Sequence, residues 1–192
     1  MKRIAVVFLL SGLAILSAKE KNKAKDVPAD GHLDAYVTGA EDENRLTKEV
    51  RHNLAMLPYF GVFDDLGFTI SGGTVTLVGA VTRPSLKDDA ERVAKKVEGV
   101  ENVVNHVEVL PLSPFDDGIR RRVFRAVYGD PSLSTKYGFR AMPSIHIIVK
   151  NGDVRLEGVV ATQMDKTIAG MRASGVSGAF QVTNSLRVEG TT

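Results

Sequence analysis

The sequence predicts an α+β chain of two tandem αββαβ domains, each a small three-stranded sheet packed on two helices. Two observations carry this. Shifted by 79 residues, Val75–Val109 falls on Val154–Val188 without a gap, with 12 identical pairs in 35 positions. The pairs include Val75/Val154, Leu77/Leu156, Gly79/Gly158, Lys87/Lys166, Gly99/Gly178 and Asn105/Asn184. A long period with only two copies marks two domains rather than a solenoid. Within each copy, apolar residues alternate between a helical and a strand period.

Residues 1–18 read as a secretory signal peptide: basic Lys2 and Arg3, apolar Ile4–Leu16, then small Ser17 and Ala18 before a charged run. The apolar stretch is shorter than the roughly 20 residues of a membrane span. Leu16 stands where cleavage after Ala18 prefers a small residue, so an uncleaved anchor remains the alternative. No Cys follows to carry a lipid. Residues 19–43 are polar without an apolar period, the pattern of a flexible linker.

The first domain spans 44–111. Leu46, Val50, Leu54 and Leu57 form one face of a helix that Pro58 closes. Phe68-Thr69-Ile70 makes a strand, Gly72-Gly73 a hairpin turn, and Val75, Leu77, Gly79 and Val81 the returning strand. Ser85, with Asp88 three residues on, predicts the N-cap of a second helix. Leu86, Ala90, Val93, Ala94 and Val97 give its buried stripe, and Gly99 its end. Val103, Asn105, Val107 and Val109 alternate as the last strand.

The second domain spans 113–190 and repeats this order. Ile119, Val123 and Val127 mark its first helix. About six extra residues lie between Asp130-Pro131 and the hairpin, and read as a longer loop. Ile145, Ile147 and Val149 alternate, Asn151-Gly152 turns the chain, and Val154, Leu156, Gly158 and Val160 return. Gly170 and Gly175 weaken the following helix, each by about 1 kcal/mol relative to Ala. Gly178 stands where Gly99 does, in the segment expected to end that helix.

This pattern resembles the BON family (bacterial OsmY and nodulation domain). The likeness rests on the glycine-bearing strands Val75–Val81 and Val154–Val160, and on the helix-ending segments Glu98–Asn105 and Ser177–Asn184. It departs at Ala179, where Val is usual, and in the glycine-bearing helix. The resemblance implies a periplasmic protein of envelope maintenance or osmotic stress that associates with phospholipid.

Composition narrows the chemistry. With no Cys, the sequence has no disulfide framework, thiol nucleophile or Cys-ligated metal. His32, His52, His106 and His146 lack metal-pair spacing and read as surface or packing residues. Asp64-Asp65, Asp88-Asp89 and Asp116-Asp117 are adjacent pairs whose side chains diverge, so caps or solvated charges account for them better than an acid/base couple. No phosphate loop or nucleophile motif occurs, and the expectation is a protein that is not an enzyme, without cofactor or evident small-molecule substrate.

Gly79 and Gly158 fall on inward strand positions, where a crossing helix would exclude a side chain; Asn105 and Asn184 sit where a buried amide would tie neighbouring backbone. Residues 112–192 carry a net charge of +4 in a chain that is neutral from Lys19 onward. Four of those charges are Arg120, Arg121, Arg122 and Arg125, which the stripe of Ile119, Val123 and Val127 leaves facing water. Lys136, Tyr137, Phe139 and Arg140 follow in the extra segment. Arginines beside exposed aromatics suit an anionic membrane interface; a solvated helix face with Phe139 in the core is the other reading. The expected partner is an anionic phospholipid surface or an envelope protein, and a signal peptide disfavours nucleic acid. A holdase for envelope proteins is the alternative function.

Overall fold

A computed structural model describes residues 44–140 and 142–190, with the backbone of Leu33–Asp34. The expected signal peptide lies outside the described residues. So does the expected linker, apart from one strand.

Helix α1 (Arg45–Ala55) starts at Asn44, whose side chain accepts the Thr47 N–H. Strands β2 (Asp65–Ser71) and β3 (Thr74–Val81) form an antiparallel hairpin. Gly72 and Gly73 take φ of 52° and 76° in its turn, a region glycine enters without strain. Helix α2 (Pro84–Ala94) crosses back, and β4 (Asn102–Asn105) and β5 (Glu108–Val109) both pair parallel to β3 as one interrupted strand. The second domain repeats this with α3 (Pro114–Tyr128), β6 (Ile145–Lys150), β7 (Asp153–Val160), α5 (Gln163–Ser174), β8 (Gln181–Asn184) and β9 (Arg187–Val188). Between α3 and β6 it adds α4 (Pro131–Tyr137). Each domain has its own core, one around Leu54, Phe68, Leu77 and Leu86, the other around Ile119, Leu133, Ile147 and Leu156.

Five expectations need correction. The extra residues of the second copy are not a loop: Asp130 caps the Ser132 N–H and starts α4, so this domain has three helices. Ser85 and Asp88 do not cap α2; it begins at Pro84 after Arg83, with no side-chain cap, because proline fixes the first helical φ and needs no N–H partner.

The third correction concerns the paired glycines Gly99 and Gly178, neither of which ends a helix. α2 stops at Ala94, five residues before Gly99. α5 stops at Ser174, and Gly175 caps it by donating its N–H to the Met171 carbonyl at 3.2 Å. Gly99 and Gly178 instead bend the chain toward β4 and β8, with φ of 96° and 90°. That left-handed region explains why both copies have glycine there.

Fourth, what excludes a side chain at Gly79 and Gly158 is strand backbone rather than a helix. A Cβ on Gly79 would stand 2.3 Å from the Asp65 carbonyl oxygen, and one on Gly158 2.1 Å from that of Ser144, at φ of 118° and 124°. Finally, the segment read as a linker contains β1 (Leu33–Asp34), which pairs with Phe68 and Gly67 of β2.

Ile147 occupies in the second copy the place of Phe68 in the first, since Leu66 faces Gly79 as Ile145 faces Gly158. Both positions have a covered strand edge. β1 covers Phe68, while the Ile147 N–H donates to the Val62 carbonyl, 2.8 Å away, in the first domain's loop. An open edge would offer unpaired backbone groups to other chains. The domains also meet where Ala80 and Leu110 pack on Ile148, and where Lys150 pairs with Glu108 at 2.5 Å.

Candidate functional site

Helix α3 buries Ile119, Val123 and Val127, as its period requires, but the band also takes in Asp116 and Arg120. Arg120 is only 4% exposed, which corrects its expected place on the water-facing side. Its Nη2 donates to the Val149 carbonyl at 2.6 Å and its Nη1 to Asp117 at 2.5 Å, tying α3 to β6. The step of three from Arg120 to Val123 is the signal in the sequence for this burial. Asp116 accepts the N–H groups of Asn151 and Gly152, holding the hairpin turn.

Other members of the expected basic face are also engaged. Arg122 donates from Nε to the Ser177 carbonyl. Lys136 pairs with Asp165 at 2.8 Å. Tyr137, expected in an exposed segment, is buried; its hydroxyl donates to Asp165 at 2.9 Å and accepts the Ala161 N–H at 2.8 Å. Burial opposes the Asp165 charge, but hydrogen bonds from Lys136, Thr162 and Tyr137 outweigh it and hold the carboxyl below its usual range.

What remains outward is Arg121, Arg125, Phe139 and Arg140, joined by Phe124 and the half-buried Tyr128. The helical spacing of 121, 124, 125 and 128 puts these on one side of α3. Arg121 and Arg125 are exposed and have no carboxylate partner among the described residues. Phe139 is 92% exposed, which corrects the alternative that placed it in the core. Arg140 lies over the Tyr137 ring at 5.4 Å and donates to Ser144 at 3.0 Å. Phe124 stacks tilted on Tyr128 at 5.0 Å and meets Phe63 of the first domain edge-on at 6.2 Å. Burial pushes the Tyr128 hydroxyl up to about 12, so it stays a neutral donor to the Ile145 carbonyl at 2.6 Å.

Beside this face lies a cleft of about 380 Å³ between α3, α4 and Val62 of the first domain. Among the described residues, Arg125 and Arg140 line it and no carboxylate does. Among the described residues no group of His, Asp or Glu could hold a metal ion. No helix there is long and apolar enough to cross a membrane.

Both expected asparagines have internal partners. Asn105 donates to the Lys87 carbonyl at 2.9 Å, and Asn184 to that of Lys166 at 2.8 Å. Each also accepts the N–H two residues on, across the break in the last strand. His52 and His106 are exposed, and His32 lies outside the described residues. His146 is fully buried between the domains, stacked on Phe60 at 5.6 Å, with ring nitrogens 3.2 Å from the Gly61 carbonyl and 3.0 Å from that of Pro143. Burial pushes its imidazole down to about 4, against those hydrogen bonds.

The family model described as BON domain matches residues 42–111 and again 115–190. The outer membrane lipoprotein DolP of Haemophilus influenzae is 32% identical over 115 residues, 57% of this chain and 55% of that protein. The match thus spans about half of the relative's length. Among solved structures, the C-terminal domain of CdsD, from the type III secretion system of Chlamydia trachomatis, is 15% identical with a TM-score of 0.29, covering 77% of this chain and 98% of that one. A second CdsD structure is 13% identical with a TM-score of 0.28, covering 73% and 90%.

Proposed function

This chain belongs to the BON domain family, and from that premise we propose that it is a non-enzymatic, periplasmic protein of the cell envelope whose second domain binds an anionic phospholipid surface. The observation that carries the reading is Phe139, 92% exposed beside Arg125 and Arg140. Leaving one aromatic ring in water is unremarkable alone. Set among arginines, it fits an interface where cations attract phosphate and a ring settles at headgroup depth. The envelope location draws support from the relative's description as an outer membrane lipoprotein.

Co-sedimentation of the full chain with vesicles tests this. Anionic vesicles should bring down more protein than neutral ones at low salt, and the excess should shrink at high salt. An apolar N-terminal segment would contribute equally to both vesicle types, so the difference reads the basic face. Equal sedimentation with both would sink the proposal; protection of unfolded proteins from aggregation, insensitive to salt, would favour a holdase.

A further inference from the structure

We infer that the cleft between α3, α4 and the first domain's loop holds the acyl chain of one anionic amphiphile, with its head between Arg125 and Arg140. This rests on the anionic-lipid reading above and sharpens it from a surface to a pocket for a single molecule. The cleft's volume of about 380 Å³ lies within the ~300–1,000 Å³ typical of small-ligand sites. Val62, Phe124, Tyr128, Phe139 and Pro143 supply apolar lining. The two tyrosines that border it, Tyr128 and Tyr137, commit their hydroxyls to Ile145, Asp165 and Ala161, which leaves their rings as lining.

The cation arrangement sets the ligand's polarity. Arg125 has no side-chain partner among the described residues, and the Arg140 guanidinium is fixed over Tyr137 by its bond to Ser144. A wholly apolar ligand would desolvate both arginines without compensation, and a bare anion would leave the apolar lining wet. A molecule with an anionic head and an apolar stem satisfies both.

The site is built jointly by the two domains. α4 has no counterpart between α1 and β2, and Val62 is fixed against β6 by its bond to the Ile147 N–H. The second domain's added helix and the first domain's loop are therefore both walls.

Titration calorimetry of the full chain with dihexanoylphosphatidylglycerol, below its micelle concentration, tests this. Saturable one-to-one binding is expected, with glycerol 3-phosphate, the head alone, at least tenfold weaker. Ser134→Trp adds bulk from α4 and Val62→Phe from the first domain. Each should weaken the short-chain lipid at least tenfold while anionic vesicles still sediment the protein. Absence of saturable binding to the wild type, equal binding of glycerol 3-phosphate, or unchanged affinity in the folded variants would overturn the pocket. Saturable binding without vesicle sedimentation would keep the pocket and sink the surface reading; sedimentation without saturable binding would do the reverse.

Discussion

The side-chain nitrogen of Asn184 stands 2.6 Å from the point that a Cβ on Gly170 would occupy. That amide donates to the Lys166 carbonyl at 2.8 Å, and its oxygen accepts the Leu186 N–H at 3.3 Å. The glycine inside α5 is thus the space into which the strand's asparagine fits. In the first copy the same position is Glu91, whose carboxylate accepts a bond from Asn105 at 3.3 Å.

Replacing Gly170 by Ala should therefore not yield the helix-propensity gain of about 1 kcal/mol. It should instead cost about 1 kcal/mol net by displacing a hydrogen-bonded amide. Gly175 is the control: it ends α5 with φ of −78° and its nearest obstacle is 3.7 Å away. Gly175→Ala should stabilise by about 0.4–1 kcal/mol. Urea midpoints decide; equal gains for both would mean that Asn184 moves aside freely.

That glycine shows where sequence reading stops. The repeat, the hairpins at Gly72-Gly73 and Asn151-Gly152, and the stripe of Ile119, Val123 and Val127 are legible because each follows from local period or backbone freedom. The asparagine ties are legible as buried amides without partners named. Partners across the fold are not. Nothing local says that Tyr137 will meet Asp165 twenty-eight residues away, or that Val62 will cover β6. Gly99 and Gly178 are legible as positions needing glycine, but a left-handed residue past a helix reads the same whether it caps the helix or turns the chain beyond it. α4 reads as loop because seven residues are too few to show a helical period. Five of the eight proposed basic and aromatic contacts, Arg120, Arg122, Lys136, Tyr137 and Arg140, are engaged internally, and of these Lys136 and Arg140 stay exposed. Phe124 and Tyr128 escape notice because an aromatic at helical spacing reads as core.

Gly79→Val should destabilise the first domain by about 3 kcal/mol, since it combines a strained φ with overpacking. Thr76→Val, half-buried on the same strand, should change stability by less than about 0.5 kcal/mol. The cause is the Asp65 carbonyl at 2.3 Å from a built Cβ, so Gly79→Ala should already carry most of the loss. Thermal melts in which the alanine variant matches wild type would remove the backbone clash as the reason.

Arg120→Ala should cost about 2–4 kcal/mol, because it strands the Val149 carbonyl and removes buried packing. Arg121→Ala, one position on and exposed, should stay within about 0.5 kcal/mol. If both melt alike, the tie from α3 to β6 carries no weight.

Acid should loosen the contact between domains through His146. The unfolded chain takes up a proton there as pH falls below 6.5, while the folded ring stays neutral until about 4. Folded stability is therefore unaffected above 6.5 and lost progressively between 6.5 and 4, by roughly 2–4 kcal/mol in all. Asp165, held below its usual range, adds a loss only at lower pH, as it is protonated. Urea midpoints of wild type and His146→Gln across pH 7.5 to 4.5 separate the two. The variant should start lower and vary less, and parallel curves would assign the acid response elsewhere.

The lipid prediction turns on which arginines are removed. A substitution of Arg120, Arg121, Arg122 and Arg125 together confounds charge with folding, since Arg120 is buried and Arg122 holds the Ser177 carbonyl. Arg121, Arg125 and Arg140 are the exposed set, and Gln keeps helix propensity on α3 nearly unchanged. Each cation near an anionic surface contributes about 1 kcal/mol, so the triple change should weaken vesicle binding by about 3 kcal/mol at low salt. The loss should be smaller at physiological salt, where screening acts over about 8 Å. Thermal stability should move little, because exposed charges contribute little to folding. Phe139→Ala should also weaken vesicle binding, but with no change in salt dependence, because it removes an apolar contact and no charge. A triple variant that folds and sediments with anionic vesicles as the wild type does would take α3 and its neighbouring segment out of the interface.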